Sequence, residues 1–270
     1  MSFKKWHFYN NIPYTLWPFI ISVWVFCLFA VLVILINKYF IISECFSYCL
    51  FCICFTFFID GVMHWVDDVR EESICGRYTK KLRSALYVGF MLFLLSELML
   101  FGSFFWVYFD RIFHLSYVTH YFSSPLIPGH IKWFLEPLYA SFVLLTSGYF
   151  CNSSYYNYQQ NKYFEGYIDS LCTNFLGFFF IYIQYVEYTH LTLSLSDHVY
   201  SSIFFLLTGF HGAHVLIGNI FLLYQYWYIF WDGNKNLFGL TLALIYWHFV
   251  DIIWIFLFIF VYFFNTNNLI

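Results

Sequence analysis

Charge is what this chain lacks. Only 10% of its 270 residues are charged, against about a quarter in a soluble domain, too few to cover a globule in water. The 15 acidic and 12 basic residues leave a net charge of −3 and form no like-charge tail. Nucleic acid is therefore not an expected partner. No internal repeat is visible either, so nothing points to the inverted halves of a transporter. A secretory signal is also missing. In MSFKKWHFYNNIPYTLWP the apolar stretch that follows runs too long, and no small-residue cleavage site closes it. The arginine-rich, amphipathic look of a transit peptide is absent, so the chain is expected to be made in the compartment where it works.

What is present is apolar mass. Hydrophobic residues make up 62% of the chain and aromatic residues 27%, with 39 Phe and 25 Tyr. The mean hydropathy is +0.69, and a bilayer is the expected solvent. Part of the aromatic load fits a gene rich in A and T. The eight cysteines make no framework. Cys27, Cys45, Cys49, Cys52 and Cys54 fall in the first two apolar segments, and Cys45, Cys49 and Cys52 share one helical face. No histidine or carboxylate cluster nearby completes a tetrahedral shell, so they read as small packing residues.

Seven apolar stretches can cross roughly 30 Å of hydrocarbon at 1.5 Å per residue. They run over 16–36, 39–62, 86–109, 137–158, 168–188, 201–230 and 237–264. The fourth is the weakest, because CNSSYYNYQQ dilutes it. The expected organisation is a single all-α integral membrane domain. Its parts are a first pair of helices over 16–62, a charged loop over 63–85 and five helices over 86–264. Seven spans put Lys4, Lys5, Arg70, Arg77, Lys80, Lys81, Arg83, Lys162 and Lys235 on one side, against Lys38, Arg111 and Lys132 on the other. That asymmetry places the N-terminus on the matrix or cytoplasmic side.

Ionisable groups at bilayer depth are the informative exceptions, each costing about 2.5 to 3.5 kcal/mol on insertion scales. Glu97 lies in the third segment, Glu187 near the end of the fifth, His211 and His214 in the sixth, and His248 and Asp251 in the seventh. Three readings compete: metal or haem ligation, a proton or substrate path, and structural hydrogen bonds between helices. The first lacks a convergent ligand set. The helical neighbours of Glu97 are Phe93, Leu94, Leu100 and Phe101, all apolar. Its partner must therefore come from another helix, another subunit, a lipid or a water, and without a cation beside it the protonated form is expected. Gly89, Ser96 and Ser103 recur every seven residues beside it, a seam where another helix can approach. Gly209, Gly212 and Gly218 thin the sixth segment in the same way.

A series of motifs then appears in fixed order. LWPF stands at Leu16 to Phe19, and Asp67-Asp68-Val69-Arg70-Glu71 is followed by Gly76 and Thr79. SELMLFGSFFWVYF covers 96–109, IQYVEY 183–188, LSDHVY 195–200, TGFHGAHVLIG 208–218 and YWHFVDIIWIFLF 246–258. On these motifs the chain resembles subunit III of cytochrome c oxidase over nearly its whole length. The resemblance implies two-helix and five-helix bundles separated by a V-shaped, lipid-filled cleft. It implies no haem, copper or other metal on this chain, those cofactors belonging to partner subunits. Members of the family pack against catalytic subunit I and other oxidase subunits, hold phospholipid, sustain activity over many turnovers and sit near a proton-uptake path. The implied setting is the mitochondrial inner membrane, with a bacterial plasma membrane as the alternative and a respiratory supercomplex as a possible wider assembly.

Residue by residue, Glu97 matches the family's carbodiimide-reactive glutamate. Arg70, Glu71 and His214 match positions associated with lipid headgroups, and Asp67 matches the family's aspartate better than Asp68. Trp65, His211, His248 and Asp251 join them as headgroup or interface candidates. Three departures stand out. Trp65-Val66-Asp67 lacks the family's arginine, Tyr155-Tyr156 replaces a histidine pair, and a basic residue expected near Tyr228 is absent. The rival class is a small proton channel or transporter using Glu97, His211, His214 and Asp251, which the absence of paired, broken helices disfavours.

Overall fold

A computed structural model describes residues 15–36, 44–76, 79–118, 136–191, 194–196, 199–232 and 237–263. The basic residues Lys4, Lys5, Lys38, Arg77, Lys132 and Lys235 of the orientation tally lie outside them, as do Asp197 and His198 of LSDHVY. The described residues form seven helices: α1 (Trp17–Ile36), α2 (Glu44–Ile74), α3 (Lys80–Val118), α4 (Glu136–Gln159), α5 (Tyr163–His190), α6 (Val199–Asp232) and α7 (Phe238–Leu257). The last continues as a π-helical turn, Phe258–Phe263. No strand is found among the described residues. The chain is an all-α membrane protein.

Six of the seven helices, all but α4, are both long and apolar enough to cross a membrane. At 24 residues α4 has the length, roughly 36 Å at 1.5 Å per residue, but not the apolar composition. Its packing explains why. Its buried residues include Ala140, Leu144, Ser147, Cys151, Ser154 and Tyr158, spaced alternately four and three apart. The partner face of α5, with Gly166, Ser170, Thr173, Gly177, Phe180, Gln184 and Glu187, has the same rhythm. In a bilayer, small residues such as these let backbones approach, while hydroxyls and amides bond across. Polarity in α4 therefore marks burial in protein.

The two helices are joined by a tight turn. Asn161 takes a left-handed φ of 61°, the Lys162 amide returns to the Asn157 carbonyl at 2.9 Å, and the Asn161 amide to Tyr158 at 3.1 Å. This is the Schellman closure, with asparagine where glycine is usual.

The expected charged loop over 63–85 is a correction. Most of it is helix, since α2 continues to Ile74 and α3 starts at Lys80. Hydrophobic runs stop where the chain meets water, but backbone hydrogen bonding does not. The helix break itself is short. Gly76 adopts φ 69° after α2, and the Thr79 hydroxyl accepts from the Leu82 amide as an N-cap for α3.

Two compact units result, Met1–Leu86 and Tyr87–Ile270. In the first, α1 and α2 pack antiparallel. Trp17 stacks on His64 at 5.1 Å and Trp24 on Phe57 at 4.8 Å. The buried stripe of α2 is small: Ser47, Cys54 and Gly61, at intervals of seven.

In the second unit, α4, α5, α6 and α7 close a ring in that order, each packed on the next and α7 back on α4. The largest side chains of the core are aromatic, with Trp247, Trp254, Phe180 and Phe204 fully buried. From Tyr87 onward α3 packs on the α6–α7 side through Leu94, Phe101 and Tyr108, again seven apart. The Tyr108 hydroxyl donates to the Phe260 carbonyl at 2.8 Å. The predicted seam on α3 lies elsewhere. A Cβ at Gly89 would meet nothing within 4 Å, and the exposed Ser96 and Ser103 hydroxyls donate back to Phe93 and Leu100. Within the second unit, no other described helix approaches that face.

On α6 the thinning is used unevenly. A Cβ at Gly212 would stand 2.7 Å from Gln184 Oε1, and one at Gly218 3.1 Å from Trp247, while Gly209 has room to spare. The tightest crossing of α5 and α6 is at Gly177, where a Cβ would lie 2.6 to 2.8 Å from the Asn219 carboxamide. That carboxamide donates to the Asn174 carbonyl at 3.3 Å. Gly177→Val is expected to cost about 1 to 3 kcal/mol by overpacking, read as a lower midpoint in detergent unfolding.

Candidate functional site

The polar residues of α3, α6 and α7 gather at one depth. Counting along each apolar span, Glu97, His214, His248 and Asp251 all lie within roughly 4 Å of the middle. They form two carboxyl–imidazole pairs in the five-helix unit.

In the first pair, Glu97 Oε2 on α3 lies 2.9 Å from His214 Nε2 on α6. The side chains are 21% and 11% exposed, so the pair is sheltered but reachable from one side. The other ring nitrogen, Nδ1, lies 2.7 Å from the Phe210 carbonyl. A carbonyl only accepts, so Nδ1 carries a proton. The Oε2–Nε2 contact then needs one proton of its own. It is either a carboxylic acid donating to a neutral imidazole or a carboxylate accepting from an imidazolium, and the pair is neutral in both. Phe101 meets the imidazole edge-on at 5.1 Å, and Tyr246 stacks beside it at 6.5 Å. Glu97 is thus paired within its own chain. Of the sources open to it, another helix supplies the partner, 117 residues away in sequence.

The second pair faces α4. His248 Nδ1 lies 3.3 Å from Asp251 Oδ2, and its Nε2 lies 3.0 Å from Asn152 Oδ1. Asp251 is buried, and it reaches α4 only because position 148 is glycine, where a Cβ would stand 2.7 Å from its Oδ2. Gly148→Ala should therefore separate α4 from α7 at this point, a loss of about 1 to 3 kcal/mol. It would be detected as faster proteolysis of the α4–α5 turn in detergent.

His211 belongs to neither pair. It is fully buried, between Phe180 at 5.5 Å and Trp254 at 5.0 Å. Its Nε2 donates to the Val250 carbonyl at 3.3 Å, the tautomer a carbonyl partner requires. His211 acts as a wedge holding α6 on α7.

The remaining candidates sit in the other compact unit. Trp65, Asp67, Arg70 and Glu71 occupy the last turns of α2, with Trp65, Asp67 and Glu71 exposed and Arg70 half-buried. Among the described residues, no three of His, Cys, Asp and Glu converge to hold a metal ion. The sequence did not single out Asn152 or Gly148. Asn152 sits in the polar stretch that weakened the fourth segment, and that polarity was its signal. Glu187, noted for its depth, is buried on α5 with the Tyr262 hydroxyl beside its carboxyl.

Known proteins agree with these motifs. The family model described as cytochrome c oxidase subunit III matches residues 6–266. Three relatives, each named cytochrome c oxidase subunit 3, are similar to this chain. That of Schizophyllum commune is 34% identical over 208 residues, covering 76% of this chain and 78% of the relative. That of Rhipicephalus sanguineus is 36% identical over 216 residues, covering 76% and 80%. That of Mus musculus is 35% identical over 215 residues, covering 75% and 78%. Matched by the family model over residues 6–266 and by these relatives over about three quarters of its length, the chain belongs to the cytochrome c oxidase subunit III family and is a subunit of that oxidase.

Proposed function

We propose that this chain is a non-catalytic core subunit of cytochrome c oxidase in the mitochondrial inner membrane, with its N-terminus on the matrix side. It packs against catalytic subunit I and keeps that subunit active, while the haem and copper centres reside on partner subunits. Phospholipid headgroups are held at the α2 end by Trp65, Asp67, Arg70 and Glu71. Glu97 and His214 serve as a neutral, proton-sharing pair at mid-membrane, close enough to the surface of the chain to respond to the subunit beside it.

The observation that carries this reading is how the polar residues are occupied. His214 and His248 each use both ring nitrogens on groups of this chain, and His211 turns Nε2 to a carbonyl. Side chains committed to holding helices together suit an accessory subunit better than a catalytic one.

The test is isolation of the native membrane complex containing this chain, with its optical spectrum recorded before and after dissociation. Haem-copper oxidase bands in the complex, and none on the dissociated chain, are expected. A chain that migrates alone and conducts protons in vesicles would overturn the proposal.

A further inference from the structure

The α1–α2 hairpin carries five cysteines that the oxidase role does not use. Its register decides which of them face each other. Trp17 lies against His64 at 5.1 Å with rings 8° from parallel. Trp24 lies against Phe57 at 4.8 Å, also at 8°. A Cβ at Gly61 would touch Ile21 at 3.4 Å. Paired residue numbers in an antiparallel hairpin have a constant sum, and these three contacts agree on it to within one residue. Cys27 and Cys54 fall in the same register, one helical turn beyond the Trp24–Phe57 stack.

Two further observations agree. Cys54 belongs to the buried Ser47–Cys54–Gly61 stripe that α2 turns inward, and the thiol of Cys27 is near enough to influence it electrostatically. Both are free thiols. By contrast Cys49 and Cys52 are exposed on α2. At Gly61, seven residues from Cys54 on the same stripe, α2 offers only a hydrogen to Ile21, so nothing on that face holds the two helices apart.

We infer that Cys27 and Cys54 form an oxidisable dithiol site, which a peroxide converts to a disulfide stapling α1 to α2. Cys27, half-buried rather than buried, reacts first. One equivalent of hydrogen peroxide oxidises its thiol to a sulfenic acid and releases water. The Cys54 sulfur then attacks the Cys27 sulfur, forming the S–S bond and releasing a second water with the hydroxyl of the sulfenic acid and the Cys54 proton. Two thiols are oxidised, one peroxide is reduced, and no group remains charged. The apolar surroundings slow the reaction, because a thiolate is the better nucleophile. The site is therefore a response to sustained oxidant. Its effect is to make covalent a helix pair otherwise held by ring stacks and packing.

The experiment uses the intact complex in its native membrane, treated with hydrogen peroxide, then denatured and alkylated with N-ethylmaleimide. Mass spectrometry of peptides should show Cys27 and Cys54 losing label together and appearing as one linked peptide lacking two hydrogens. Reduction with dithiothreitol should restore both labels. In Cys27→Ser, Cys54 should stay fully labelled at the same dose. Three results would overturn the inference. They are both thiols staying labelled while Cys49 and Cys52 oxidise, Cys54 linked to any other cysteine, or Cys27→Ser leaving the loss of Cys54 label unchanged. The wild-type measurement stands alone if the variant fails to assemble.

Discussion

His214→Leu is expected to destabilise the five-helix unit by about 2 to 3 kcal/mol, the cost of a carboxyl left unpaired near the middle of the bilayer. Its own helix offers Glu97 no substitute, since its helical neighbours Phe93, Leu94, Leu100 and Phe101 are apolar. The double variant Glu97→Leu/His214→Leu should recover most of that loss, because both polar groups leave together. Unfolding of the purified protein by increasing mole fraction of a denaturing detergent reads the difference. A double variant no better than His214→Leu would show that the pair contributes through packing, with Phe101 and Tyr246, rather than through its proton.

A third variant separates the two forms of the pair. Glu97→Gln mimics the protonated acid and can still donate to a neutral Nε2. If the acid form prevails, it should cost less than about 1 kcal/mol, the usual worth of one hydrogen bond between membrane helices. An ion pair predicts a larger loss, since an imidazolium would then face an amide. Infrared difference spectra of the wild type give an independent reading: a protonated carboxyl band that disappears in Glu97→Gln.

Trp254→Ala carries the largest expected loss, about 3 to 5 kcal/mol. The indole is buried with 1% of its surface exposed, meets Phe180 edge-on at 4.8 Å and packs on His211. Its Nε1 donates to Ser141 Oγ at 2.9 Å, tying α7 to α4. Lipid is as apolar as the core, so little of this loss is hydrophobic transfer. It comes from the cavity and from lost contacts. Trp254→Phe should retain about half of the stability. The same detergent titration decides, together with the fraction of chain recovered in the assembled complex. A loss below about 1 kcal/mol for Trp254→Ala would mean that the helices close over the gap.

How much of this was legible follows from what each signal encodes. Hydropathy finds where the chain enters and leaves hydrocarbon, so the apolar segments mark the seven helices. It does not find helix ends in water, which is why α2 and α3 run into what reads as a loop. It also undervalues α4, whose Ser147, Gly148 and Ser154 look unsuited to lipid because they face protein. The period of seven on α3 was real but ambiguous. Gly89, Ser96 and Ser103 share it with Leu94, Phe101 and Tyr108, and only the second set meets the rest of the unit.

The site was half legible. Glu97, His214, His248 and Asp251 stand out because ionisable groups are costly at that depth. Their pairing does not, because a helix pattern carries no information on which distant helix lies opposite. Asn152 was hidden for a related reason, as an amide among other polar residues signals nothing until His248 is seen against it.

The three-residue connection after α4 has a consequence for biogenesis. Alone, α4 is the least suited of the seven described helices to leave the translocation machinery for lipid. Tied to α5 through Asn161, it need not do so alone: its hydroxyls, glycine and small side chains meet the matching face of α5 as soon as α5 emerges. The hairpin is therefore the unit of insertion, and α4 depends on the helix made after it. Lengthening that connection would leave every contact of the finished protein available and still strand α4 during synthesis.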